Sequence, residues 1–191
     1  METHKIFYHA SNNGNLKELL PLSTLHGSNE KVCYVTPLRA YALFYLRDMD
    51  INHVTCGVSK DSIVIYDEQF PNQLEKIYHG RSGYLYTCEN GSQITAGHTK
   101  GVWVLRQPTK ISAVEHIKDV YAEILEAENA GKVRVNRYST LSDARKSEIT
   151  EMMKNYIIER NFLVKDSPKA RFFAENFPQA WELAHSEFNR W

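Results

Sequence analysis

The sequence predicts an α+β protein with a β-rich N-terminal region, residues 1–111, and a helical extension, residues 112–191. Short runs of β-branched and aromatic residues, broken by Gly, Asn and Ser turns, mark the first region. Apolar residues at helical spacing mark the second, and proline and serine positions there announce helix starts. The extension is expected to pack on the β-rich region rather than stand alone. At 191 residues the chain is long enough to bury a core without disulfides or metal.

Lys5-Ile6-Phe7-Tyr8-His9-Ala10 reads as a first strand, and Ser11-Asn12-Asn13-Gly14 as the turn that ends it. Residues 32–36 form a second strand. Pro37 suits the first turn of a helix, with Thr36 as its N-cap. Leu38, Tyr41, Ala42, Tyr45 and Leu46 then predict a buried helix over 37–48. Residues 53–58 and 62–66 read as a hairpin around Ser59-Lys60-Asp61, residues 71–78 as a short helix, and 84–88 and 102–105 as strands.

In the extension, Val114, Ile117, Val120, Tyr121, Ile124 and Leu125 predict one helix, stopped by Gly131. Val133-Arg134-Val135 is a brief strand. A second helix places Ile149, Met152, Met153, Tyr156 and Ile157 on one face, with Thr140 and Asp143 as an approximate capping box. Ser167-Pro168 opens a third helix, and Pro178 a fourth with Phe177, Trp181, Ala184 and Phe188 facing inward.

Charge narrows the function classes. Lys+Arg and Asp+Glu are 23 each, and the balance is local, with 11 basic and 10 acidic residues in 1–111 and 12 and 13 in 112–191. An extended nucleic-acid surface and polybasic membrane attachment are therefore not expected. No apolar run approaches a membrane span, and Met1-Glu2-Thr3-His4-Lys5 lacks the pattern of a signal peptide. Cys33, Cys56 and Cys88 sit beside β-formers and outside any CxxC pair, so they read as small core residues of a cytoplasmic protein, with no metal site. Neither a GxxxxGK[ST] loop, a GxGxxG turn, an HExxH helix nor a GxSxG elbow is present.

The chemistry-bearing residues lie on the first two strands. In Tyr8-His9-Ala10-Ser11, strand alternation sends His9 and Ser11 to the same side, just before a loop. Tyr34-Val35-Thr36-Pro37 places a tyrosine on a strand leading into an alanine-containing helix. These two segments resemble the YHG[ST]-like and Y-[FAV]-[TA]-like motifs of the ADP-ribosyltransferase-like superfamily, and residues 102–110 are similar to the closing strand of related proteins. The resemblance covers roughly residues 5–111. It implies a split pair of small sheets with NAD in the cleft between them. His9, Ser11, Tyr34 and Thr36 would contact the nucleotide, His9 by hydrogen bonding and Tyr34 by stacking on nicotinamide.

The pattern breaks at its third position, where Val102 stands in place of the family's Glu. Glu89 would supply a carboxylate from another strand to join His9 and Tyr34 in catalysis, and Gln107 an uncharged hydrogen bond. Two enzymatic activities, ADP-ribose transfer and NAD hydrolysis, stand beside two alternatives. One is a catalytically inactive nucleotide-binding module, and the other an interaction protein acting through the helical C-terminal region, whose aromatic end is Phe188-Asn189-Arg190-Trp191. Arg81 in the Gly-containing loop 78–83 is read either as part of a turn or as a phosphate contact.

Overall fold

The computed structural model describes residues 6–89 and 94–188. Residues 1–5, with Lys5 of the expected first strand, and the terminal Asn189-Arg190-Trp191 lie outside the described residues. The architecture is α+β, with several small antiparallel sheets and a set of helices. The described chain divides into two compact units. One comprises the residues up to Arg47, Cys56–Tyr66 and Ile77–Val135; the other Asp48–Thr55, Asp67–Lys76 and the residues from Asn136 onward.

In chain order the elements are β1 (Ile6–Ser11), β2 (Glu18–Leu19), β3 (Ser23–Thr24), β4 (Lys31–Val35), α1 (Arg39–Leu43), β5 (Thr55–Val58), β6 (Val64–Asp67), α2 (Gln73–Tyr78), β7 (Gly83–Glu89), β8 (Ile94–Ala96), β9 (Trp103–Leu105), β10 (Thr109–Lys110), β11 (Ala113–Ile117), α3 (Val120–Asn129), β12 (Val133–Asn136), α4 (Asp143–Glu159), α5 (Pro168–Asn176) and α6 (Pro178–Phe188). A single 3-10 turn, Tyr138–Thr140, precedes α4.

Two of the sheets in the first unit frame the site. One has the order β1-β7-β11, the other β3-β4-β9-β8. In the first, His9 faces Tyr86 and Ile6 faces Glu89. In the second, Tyr34 faces Val104. A single bridge joins the sheets: Tyr8 N–H donates to the Thr36 carbonyl at 2.7 Å, and Thr36 N–H to the Tyr8 carbonyl at 3.0 Å. Beneath it, alternate side chains of four strands pool into one core of Phe7, Cys33, Val35, Tyr86, Cys88 and Leu105. Phe7 meets Trp103 edge to face at 5.4 Å. The three cysteines are free thiols. Burial pushes the Cys33 thiol up to about 12 and the Cys88 thiol up to about 11, as suits inert packing residues.

Four local expectations are corrected. The helix expected over 37–48 is only α1: past Leu43 the chain tightens to i→i−3 bonds, from the N–H groups of Phe44, Tyr45 and Leu46 to the carbonyls of Tyr41, Ala42 and Leu43, and the Asp48 carboxylate then turns it by accepting from the N–H groups of Asp50 and Ile51. The helix expected to run through Val114 and Ile117 starts only at Val120. Ala113–Ile117 pairs with β7 instead, leaving Val114 54% exposed. Asp119 then caps α3 through Ala122 N–H. Gly131 does stop this helix, at φ +69°: its own N–H and that of Lys132 close on the carbonyls of Glu128 and Ala127. The cap of α4 is Ser142, which accepts from Arg145 N–H, rather than Thr140. Met152 and Phe188 are exposed rather than inward. The 111/112 position falls between β10 and β11, inside the first unit.

The second unit gathers α4, α5 and α6 around an aromatic cluster. Phe173, fully buried, stacks on Tyr156 at 5.2 Å and on Phe177 at 5.3 Å, and also meets His53, Phe162 and Phe172. Ser167 and Pro168 start α5 as the sequence predicts, with Ser167 accepting from Ala170 N–H. No helix among the described residues is long and apolar enough to cross a membrane.

Candidate functional site

His9 stands where β1 meets β4. Strand alternation puts its ring on the same face as Phe7, at the margin of the core. Its Nδ1–H donates to the Tyr34 carbonyl at 2.9 Å, and the Cys33 Sγ lies 3.5 Å from the same nitrogen. This bond spans 25 residues and ties the end of one sheet to the other. Because Nδ1 carries the proton, Nε2 of the neutral ring is an acceptor. Among the described residues no group bonds to that Nε2. Burial holds the His9 pKa below its usual value, opposed by the bond to Tyr34, so the neutral ring is the resting form.

The structure brings His9 to the backbone of Tyr34 but not to its ring. Cys33 and Val35 face the core, so Tyr34 leaves the opposite face of β4, and its hydroxyl donates to the Thr24 carbonyl at 3.3 Å. Ser11 lies on the His9 side of β1. Its oxygen accepts from Asn13 N–H at 3.1 Å, which shapes the turn and leaves the hydroxyl proton to donate. Thr36 is 2% exposed and its hydroxyl oxygen accepts from Leu38 N–H at 3.1 Å, so it fixes the strand-to-helix turn from inside.

Glu89 is exposed at the far end of β7. It pairs opposite Ile6, three ladder positions from the residue facing His9, or about 10 Å along the strand. Alternation also sends it to the face away from Tyr86 and Cys88. The structure therefore does not bring Glu89 to His9. Val102, at the third motif position, is 8% exposed and apolar. Loop 78–83 is closed by its own contacts, with Arg81 Nε donating to the Ile77 carbonyl and Gly80 N–H to the Asp119 carboxylate.

The cleft on the other face of β1 carries residues that the motifs did not indicate. It encloses about 590 Å³, within the usual range for small-ligand sites, and Tyr8, Arg39, Glu115, Glu123, Glu126 and Lys132 line it. Arg39 binds Glu115 through two nitrogens, at 2.6 and 3.2 Å, and Glu123 at 2.8 Å. These partners lie 76 and 84 residues away, so no local pattern could reveal them. A buried cation, Arg47, also lies outside the motifs: it is 7% exposed, donates to the Phe44 carbonyl, and lies 3.8 Å from the centre of the Phe44 ring. Among the described residues no group of three His, Cys, Asp or Glu is placed to hold a metal ion.

No family model, curated protein or solved structure matches the chain. What the site can do therefore rests on its own geometry. His9 offers one ring nitrogen as an acceptor at the junction of two sheets, and Ser11 offers a hydroxyl proton beside it. Both can bond the hydroxyl or amide groups of a small ligand.

Proposed function

We propose that the protein binds NAD at the junction of β1 and β4, in the manner of ADP-ribosyltransferase-like proteins, with His9 as the anchoring residue. The observation that carries this reading is the His9 ring itself. It is fixed through Nδ1 on the Tyr34 carbonyl and leaves Nε2 without a partner among the described residues. A ring fixed on one nitrogen presents the other in a defined direction, which lowers the cost of ordering it on binding. A ribose hydroxyl is the donor that Nε2 would accept, and Ser11 adds a second polar contact.

The same geometry favours binding over turnover. Glycosidic cleavage needs negative charge near the developing oxocarbenium centre. Glu89 lies three ladder positions from the residue facing His9 and on the opposite face of the strand, and Val102 is apolar and buried. The proposed protein is thus a nucleotide-binding module, and ADP-ribose transfer or NAD hydrolysis is the second reading.

Calorimetry with NAD tests both. Wild-type protein should bind NAD without releasing nicotinamide. His9→Ala should weaken binding by about tenfold, the value of one well-placed hydrogen bond. Equal affinity in His9→Ala would remove this site. Nicotinamide released by clean wild-type protein, and lost in Glu89→Gln, would establish the catalytic reading instead.

A further inference from the structure

Among the described residues of the first unit, Arg47 is the one buried charged side chain. Its guanidinium donates to the Phe44 carbonyl and lies over the Phe44 ring, but it makes no ion pair among the described residues. Its Nε has no hydrogen-bond partner and is closed off from solvent, so a dissolved anion does not reach that atom. A buried cation without a compensating anion is costly. The compensation has to come from the groups packed around it.

Those groups are four phenols and one thiol. The Tyr78 hydroxyl donates to the same Phe44 carbonyl at 2.9 Å, and the Tyr66 hydroxyl to the Ala40 carbonyl at 3.3 Å. The Tyr66 ring centre lies 6.4 Å from that of Phe44 and 6.3 Å from that of Tyr78, and Tyr41 lies 6.0 Å from Tyr45. β5 and β6 are neighbours in their sheet, and Ser59 N–H donates to the Ile63 carbonyl at 2.9 Å. That register sets Cys56 opposite Tyr66 and on the same face. Arg47 favours ionisation of each of the four phenols and an ionised Cys56 opposes it, so the cation and the thiol share one set of neighbours. Arg81 beside Tyr78 and Tyr34 beside Tyr45 also face this cluster. Burial pushes all four phenols up, so they stay protonated at neutral pH. The thiol is the acid of the cluster with the lowest ordinary pKa, about 8.5 against about 10 for a phenol. Cys56 is also half-buried, whereas Cys33 and Cys88 are buried. A partly exposed thiol beside a cation is the setting in which cysteines react.

We propose that Cys56 is a reactive thiol, balanced as the thiolate by Arg47, and that hydroperoxides oxidise the protein at this residue. With hydrogen peroxide the thiolate sulfur attacks one oxygen, and an S–O bond forms as the O–O bond breaks. The second oxygen leaves as hydroxide and takes a proton from solvent. Sulfur gives up two electrons to the peroxide and becomes a sulfenic acid. The cluster lies within the first unit and does not rest on the reading of His9. The full-length chain can be alkylated with iodoacetamide from about pH 6 to about pH 10, with the rate at each cysteine read by peptide mass spectrometry. Cys56 should react fastest, with a midpoint at least about one unit below the ordinary 8.5. In Arg47→Met, an apolar replacement of a buried charge, the midpoint should rise to about 8.5 or above, and the rate at neutral pH should fall about tenfold. After hydrogen peroxide, dimedone, which traps sulfenic acid, should mark Cys56 ahead of Cys33 and Cys88. If Arg47→Met does not fold, the wild-type midpoint and the site of the dimedone adduct decide. A wild-type midpoint at about 8.5 or above would mean a thiol that is merely exposed, and would overturn the proposal. So would the same midpoint in both chains, or the absence of a dimedone adduct at Cys56.

Discussion

The two units bury their interiors by different means. In the helical unit a single ring, Phe173, holds together α4, α5 and the residues around His53, because Tyr156, Phe162, Phe172 and Phe177 all pack on it. In the β-rich unit the interior is distributed over alternate positions of β1, β4, β7 and β9, and the sheets meet at one bridge. The helical unit also buries the polar side chains of Glu68, Gln69 and Gln73, and there the Gln69 Oε1 and Asn52 Oδ1 atoms have no hydrogen-bond partner among the described residues. Distributed packing leaves the β-rich unit with a seam, and the polar group of interest, His9, lies on that seam.

The largest effect that separates the two designs is at Phe173. Phe173→Ala should cost roughly 3–5 kcal/mol, since it removes a buried ring and the partners of its neighbours. Urea unfolding measures this, and a loss below about 1 kcal/mol would show that the cluster is not centred there. A smaller effect separates two candidate caps. Ser142→Ala should cost about 1 kcal/mol, and Thr140→Ala a few tenths, because only the Ser142 oxygen meets the first turn of α4. The reverse ranking would restore the capping box read from the sequence. Smaller again is the effect of the clamp on Arg39. At 33% exposure its bonds to Glu115 and Glu123 are partly screened, so Glu115→Gln should cost under about 1 kcal/mol and less still at high salt.

The smallest effect is a dependence on pH. Burial places the folded pKa of His9 below 6.5, so between that value and 6.5 the unfolded chain binds more protons. Stability from this group is full above pH 6.5 and is lost as pH falls through that window. His9→Asn should flatten this part of the wild-type profile. A slope unchanged in the variant would place the titration on another histidine.

Much of this fold is legible locally. The strands around Phe7, Tyr34, Tyr86 and Val104 follow from β-forming runs, and α5 and α6 follow from Ser167-Pro168 and Pro178. Residues 113–117 are misleading because Val114 and Ile117 continue the helical spacing of α3. Their strand conformation comes from pairing with β7, which no local pattern contains. The site is legible to the same extent. His9 and Tyr34 can be picked out as residues, but the contact between them runs from a ring to a carbonyl 25 residues away. The Arg39 clamp and the unpaired Gln69 oxygen depend wholly on tertiary placement.

The central claim is that His9 is an anchored nucleotide ligand. A titration of NAD into protein labelled with nitrogen-15 in histidine tests it most directly. The account predicts that His9 Nε2 shifts upfield as it accepts a hydrogen bond, while Nδ1 keeps its bond to Tyr34 and the ring stays neutral. A His9 Nε2 resonance that does not move at saturating NAD would contradict it.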